Sequence, residues 1–337
     1  VTRALISGCS GFVGSHLAEY LIEHTDWDIY GMCRWRSPLD NFETLVPRIN
    51  RGDRVHLLYG DLRDTISIQE VVKKSKPDFV FHLAAQSFPL TSFDAPLDTL
   101  DTNILGTTRL LDAIRQHAPG ALVHVCASSE VFGRVPKGTG PIGEECAFHP
   151  ASPYAISKVG TDLVGRFYAE AYGMNVQTTR MFTHTGPRRG DVFAESSFAK
   201  QIAMIEAGLL PPVVRVGNLH SLRTIADVRD AVRAYHLLLT VNPIPGAYYN
   251  IGGEHTVTIG GVLDHLLSLS PKGATIAREI DATRLRPIDA DLQIPDTTKF
   301  KNHTGWKPEI PFEQTMLDLL NYWRGRVSRE GDRFLQR

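Results

Sequence analysis

The chain has 337 residues, 42% hydrophobic and 22% charged, a globular composition with room for one large domain or two smaller ones. Its net charge of −1 excludes the broad basic field that nucleic acid or an anionic membrane would need, so any anionic ligand must be held by local arginines. Four dispersed cysteines (Cys9, Cys33, Cys126, Cys146) without C-x-x-C, 13 histidines without H-E-x-x-H, and no apolar run of about 20 residues argue against a disulfide framework, a bound metal and a membrane span.

Arg3 to Gly8 (RALISG) is a short apolar run closed by glycine. It starts at once, which leaves no room for a signal peptide, and with unpaired cysteines it points to the cytoplasm. Gly8, Gly11 and Gly14 follow at G-x-x-G-x-x-G spacing, and SHLAEYLIEH then carries apolar residues on one helical face. Strand, glycine turn and helix form a dinucleotide-binding unit, with the pyrophosphate at the helix N-terminus. DIYGMC is the second strand. Arg34 and Arg36 follow it, where an acidic residue would hold an NAD ribose and an arginine favours the 2′-phosphate of NADP; simple solvation is the alternative. After the third strand, RVHLLYG, comes Asp61-Leu62-Arg63-Asp64. An Asp here can receive the adenine amino group or cap the helix that begins near Thr65. DFVFHLAAQSF is the fourth strand, whose Ala84 and Ala85 admit close approach of a cofactor, and a long helix is predicted over about 97–118.

The fifth strand, ALVHVCA, runs into Ser128, Ser129 and Glu130. Beyond a Gly/Pro-rich loop, SPYAISK opens a helix to about Tyr172, with Tyr154 and Lys158 four residues apart on one face. A cationic Lys beside a phenol favours the phenolate. A hydroxyl at the strand end can bond the same substrate oxygen as Tyr154, and Glu130 adds a carboxylate, a set suited to acid–base work on a sugar alcohol. The motif Y-x-x-x-K alone also fits a surface pair; the glycine turn upstream gives it weight. NVQTTRMF is the sixth strand, so the first half alternates strand and helix as a parallel sheet covered on both faces would.

After Phe182 the pattern changes. A loop (THTGPRRGDVF), a helix ending at Gly208, a short strand (VVRVG), a connecting stretch (NLHSLRTIA), a helix capped by Asp227, a strand (AYYNIGG) and two further helices follow. The expected division is a cofactor domain over 1–182, joined again by 225–255, and a smaller mixed α/β substrate region over 183–224 and 256–337. Its loops bring Arg188, Arg189, Lys200, Arg215, Arg223 and Arg286, which either clamp a diphosphate or stand as separate surface charges.

SGCSGFVGSHL, GDLRD, HLAAQSF, CASSEVFG, SPYAISK and the closing LRP…TGWKP together resemble the extended short-chain dehydrogenase/reductase family, across essentially the whole chain. AQS with the following SFD, the S-S-E triplet, the R-W-R-S loop, PRRGDVF and VGNLHSLR are most similar to the GDP-mannose 4,6-dehydratases. Phe12-Val13 stands where those enzymes carry Gln-Asp, and Phe182-Thr183-His184 where they carry F-N-H. Phe12-Val13, FAKQI, VGNL…DVRD and TGWKPEIPFE resemble the sister GDP-4-keto-6-deoxymannose reductases.

The resemblance implies a Rossmann-type doubly wound parallel sheet and NADP as cofactor. The cofactor contacts expected are Gly8, Ser10, Gly11, Phe12, Val13, Gly14, Arg34, Arg36, Asp61, Leu62, Leu83, Ala84, Ala85, Tyr154 and Lys158. A GDP-linked sugar is expected on Ser87, Ser129, Thr183, Arg188, Lys200, Arg223 and Arg286. The catalytic set is Ser128, Glu130, Tyr154 and Lys158. For a dehydratase, Tyr154 takes the 4-hydroxyl proton, Glu130 takes the carbon-5 proton, and the hydride lent from carbon 4 returns to carbon 6. In a 4-keto reductase Glu130 is a bystander; an epimerase and a non-catalytic NADP-binding protein are weaker readings. The resemblance also implies a homodimer through the helices near 97–118 and 152–172, or a homotetramer through the segment after the second strand.

Overall fold

The apolar runs of the first half become β1 (Arg3–Ser7), β2 (Asp28–Cys33), β3 (Val55–Tyr59), β4 (Phe79–His82), β5 (Leu122–Cys126) and β6 (Val176–Met181). The second half adds β7 (His184–Thr185), β8 (Val213–Val216), β9 (Leu222–Asp227), β10 (Tyr248–Ile251), β11 (His255–Thr258), β12 (Ala277–Ile280) and β13 (Leu292–Gln293). This computed structural model describes residues 1–136, 140–288, 290 and 292–334.

Seven strands form one sheet in the order β3-β2-β1-β4-β5-β6-β10, and every pairing is parallel. The chain winds outward in one direction from β1 and in the other from β4, which makes the gap between them the switch point where such sheets bind ligands. Both faces are covered. The helices Phe12–His24 and Val228–Thr240 pack on one face with Trp27 and Trp306; Thr65–Ser75, Gly106–His117 and Pro153–Tyr172 pack on the other. A separate core joins the helices Ala194–Glu206, Ile259–Ser268 and Phe312–Glu330 to β8.

Two stretches differ from the pattern read in the sequence. The helix predicted over about 97–118 contains a π-helical turn, Asp101–Leu105, between Pro96–Leu100 and Gly106–His117. That wider turn holds Asn103, which is pulled inward to bond Gln86 and Ser157, and π-turns recur at functional sites. The stretch 222–226, read as connecting chain, forms with Asp227 the strand Leu222–Asp227, paired to β7, β11 and β13. Its polar Arg223 and Thr224 hid it, yet both are buried, bonded to the carbonyls of Ala290 and Gln293. The Asp227 cap is present: its carboxylate accepts from Arg229 N–H at 2.8 Å.

Candidate active site

The carboxyl ends of β1, β4, β5 and β6 open into a cleft of about 1020 Å³, roofed by the loops that follow β6, β8 and β12. At its floor lies the glycine turn. Gly8 has φ +72°, and a methyl group there would sit 2.9 Å from the Ala84 backbone; at Gly14 it would sit 2.3 Å from the Gly8 carbonyl oxygen. Gly11 caps the helix Phe12–His24 without a side-chain hydrogen bond, so the first helical N–H groups remain available to an anion. Ser10, Phe12, Val13, Leu62, Leu83, Ala84 and Ala85 all line this wall. A cradle that any Cβ would fill, ending on an uncapped helix, fits a dinucleotide pyrophosphate.

The two acids after β3 separate by role. Asp64 caps the helix Thr65–Ser75, accepting from Ile66 and Ser67 N–H at 3.2 and 3.3 Å. Asp61 lines the cleft, and its bonds from Arg63 hold its carboxyl below the usual range. Arg34 is exposed on the cleft wall. Arg36 is exposed within the turn that Ser37 N–H closes on the Arg34 carbonyl at 3.0 Å.

A buried polar chain links this floor to the catalytic helix. Ser7 Oγ accepts from Leu83 and Ala84 N–H, both at 3.1 Å, and so donates to His82 Nδ1 at 2.8 Å. His82 Nε2 then donates to Thr107 at 2.9 Å, Thr107 to the Asn103 carbonyl at 2.6 Å, and Asn103 to Ser157 at 2.8 Å. Burial drives the pKa of His82 down to about 3, which keeps the ring neutral in this one tautomer.

Ser152 caps the helix Pro153–Tyr172 by accepting from Ala155 N–H at 3.0 Å, and this sets Tyr154 and Lys158 facing β5. Ser128 Oγ accepts from Glu130 N–H at 3.2 Å, leaving its own proton for the Tyr154 hydroxyl. The expected pull of Lys158 on the phenol is not what the geometry gives. The Lys158 ammonium donates to the Cys126 carbonyl at 2.8 Å and lies 6.0 Å from the Tyr154 ring centroid. Burial therefore dominates, pushing the phenol pKa up and drawing the ammonium pKa down; Ser128 and the Arg189 guanidinium pull the phenol the other way. Glu130 lines the same cleft, with Arg286 3.9 Å from its Oε2.

Of the residues expected on a substrate, Ser87, Ser129, Thr183, Arg223 and Arg286 line the cleft. Arg188 lines it too, but its guanidinium is spent on both oxygens of Glu19, at 2.8 and 2.7 Å. Lys200 lies on the buried face of its helix, 2.7 Å from Asp191 and over the rings of Trp323 and Phe334. Wall residues outside the expected contacts include His184, Arg189 and Glu195. Arg189 lies 3.5 Å over Phe193 and 5.2 Å from Phe12, with Glu195 3.4 Å away. Buried atoms of all three (His184 Nε2, Arg189 Nε, Glu195 Oε1) lack a hydrogen-bond partner among the described residues. Arg189, the second arginine of PRRG, already stands among the roof cations that the sequence offers as a diphosphate clamp, whereas His184 and Glu195 had no site role there.

A glycine turn at the switch point of a parallel sheet, with Ser, Tyr and Lys gathered at the strand ends, defines an extended short-chain dehydrogenase/reductase. The family model described as GDP-mannose 4,6 dehydratase matches residues 5–319. GDP-mannose 4,6 dehydratase 1 of Arabidopsis thaliana is 33% identical, covering 94% of this chain and 88% of its own. GDP-6-deoxy-D-mannose reductase of Pseudomonas aeruginosa is 31% identical, covering 97% and 99%. The solved structure of RMD from Pseudomonas aeruginosa complexed with NADPH superposes with a TM-score of 0.80 at 30% identity, over 97% of this chain and all of that one. The chain belongs to the GDP-mannose 4,6-dehydratase family.

Proposed function

We propose that this protein is an NADP-dependent 4,6-dehydratase of GDP-mannose or a related GDP-linked hexose or heptose. Residues 1–182 with 225–255 hold the cofactor, and 183–224 with 256–337 hold the sugar nucleotide. The observation that carries the reading is Glu130: a carboxylate in the short 3-10 turn that Ser128 caps, in the same cleft as Tyr154 and Lys158. A ketone at carbon 4 acidifies the carbon-5 proton, and a dehydratase needs a base there where a 4-keto reductase does not. NADP supplies hydride storage between carbon 4 and carbon 6. Tyr154 takes the 4-hydroxyl proton while Ser128 orients that oxygen. Glu130 takes the carbon-5 proton and assists departure of the 6-hydroxyl as water. Arg223 and Arg286 on the roof suit the diphosphate.

A second reading is the 4-keto reductase, favoured by the Pseudomonas aeruginosa relative that matches over nearly its whole length. The test is mass spectrometry of GDP-mannose incubated with the protein and no added NADPH. Loss of one water with the cofactor unchanged establishes the dehydratase. No loss, with NADPH oxidised by the 4-keto-6-deoxy sugar, establishes the reductase.

The assembly we propose is a homodimer or a homotetramer. Its dimer surface is the pair of helical stretches from Pro96 and from Pro153, which expose Leu97, Leu105, Ile156, Leu163 and Phe167. A monomer in light scattering at micromolar concentration would count against it. No helix among the described residues is long and apolar enough to cross a membrane. We place the protein in the cytoplasm, with its four cysteines reduced.

A further inference from the structure

The chain that leaves β2 folds back onto the cofactor helix Phe12–His24. Phe42 is 1% exposed and Leu45 is buried, both in the core that also holds Leu17 and Leu21 of that helix. Phe42 N–H donates to the Leu39 carbonyl and Leu45 N–H to the Phe42 carbonyl, each at 2.8 Å. Thr44 Oγ1 donates to the Glu19 carboxylate, which in turn accepts both arms of Arg188 at 2.8 and 2.7 Å. At the other end of the segment, Asp40 lies 3.7 Å from Arg326 of the last helix. Two buried side chains and these polar contacts fix the backbone of this stretch.

Asn41 stands in that fixed stretch and lines the cleft with Ser10, Gly11 and Arg34. Its Nδ2 donates to the Ser10 carbonyl at 3.1 Å, which joins the segment to the glycine turn. One of the two amide N–H groups is spent on that bond. The contact brings together two parts of a dinucleotide site that lie apart in sequence. The glycine turn takes the pyrophosphate, and the end of the second strand reads the 2′ position of the adenosine ribose. Here β2 ends at Cys33 and Arg34 follows, in place of the acid that would hold an NAD ribose. We propose that Asn41 is a cofactor-specificity residue: anchored on Ser10, it forms with Arg34 the corner that takes the 2′-phosphate, and so selects NADP over NAD. A neutral amide suits that corner, because it donates to a phosphate where a carboxylate would repel it. A donor on a fixed backbone also loses little freedom when the phosphate arrives. The proposal concerns the cofactor alone and is the same for a dehydratase and a reductase.

The test is equilibrium binding of NADPH and of NADH to the full chain by isothermal titration calorimetry, with no sugar nucleotide present. Failure of the dehydratase reading therefore leaves its outcome untouched. Wild type should prefer NADPH. Asn41→Leu should raise the NADPH Kd about tenfold and the NADH Kd by no more than about threefold. Asn41→Asp keeps the shape of the side chain and should raise the NADPH Kd about a hundredfold, carrying the preference toward NADH. Both variants should melt in the same cooperative transition as wild type, since Asn41 is only half-buried. Equal losses for the two cofactors would reduce Asn41 to a support of the glycine turn and overturn its role in selection. Unchanged NADPH binding by Asn41→Asp would refute the phosphate corner, and so would a wild type that binds NADH as tightly as NADPH.

Discussion

On the sheet side of the cleft, shape is set by backbone: three glycines, an uncapped helix and the carbonyl that anchors Lys158. On the roof side it is set by charged side chains, and some of those, Arg188 and Arg284 among them, are already committed to protein partners. A backbone site tolerates little substitution, because its geometry has no rotamers to rearrange. A side-chain site divides its arginines between holding the roof and holding a ligand, and that division follows from the partners each one finds.

The largest effect should come where both sides meet. Tyr154→Phe should lower kcat by about 10³-fold while NADPH affinity persists, since general acid–base groups contribute roughly 10²–10⁴. Rapid-quench turnover and fluorescence titration check the two halves. Next, Gly14→Val must displace the Gly8 carbonyl that lies 2.3 Å from its Cβ. It should weaken NADPH binding by about a hundredfold, ~2.7 kcal/mol. Ordinary binding by this variant would break the claim that the backbone makes the floor. On the roof, Arg286→Met and Lys200→Met should part ways. The first lines the cleft and should raise KM for the sugar nucleotide with little change in Tm. The second should leave KM alone and cost about 1–3 kcal/mol in urea unfolding, because Asp191 loses its 2.7 Å partner.

A slope rather than a single value is expected in pH. Burial lowers the pKa of His16 and His184 to about 4 and of His82 and His124 to about 3. The unfolded chain then binds more protons than the folded one below about pH 6.5. Stability is therefore full above that pH and falls as acid carries the solution down through the folded values. His82→Gln should flatten this slope between about pH 6.5 and 4, by up to about 1.4 kcal/mol per pH unit. An unchanged slope in urea titrations would show that His82 does not stay neutral in the fold.

The same contrast explains what could be read in advance. The glycine spacing is legible because three positions within seven residues face the same steric demand. Tyr154 and Lys158 are legible because one helical turn fixes them together. Composition and spacing alone leave Asp61 and Asp64 interchangeable until the helix start is placed, and only the family resemblance singles out Asp61 for the cofactor. The protein partners of Arg188 and Lys200 were not legible, because nothing local marks Glu19, 169 residues from Arg188, or Trp323 of the last helix as those partners. β9 was hidden by buried Arg223 and Thr224, whose acceptors lie more than sixty residues further along.

The most direct measurement of Glu130's role is turnover of GDP-mannose in deuterium oxide, wild type beside Glu130→Gln. A base at carbon 5 removes a proton that solvent must replace. Wild-type product should therefore be lighter by one water and carry one solvent deuterium at carbon 5, and Glu130→Gln should give neither while still binding NADPH. Water loss by Glu130→Gln at the wild-type rate would contradict the mechanism.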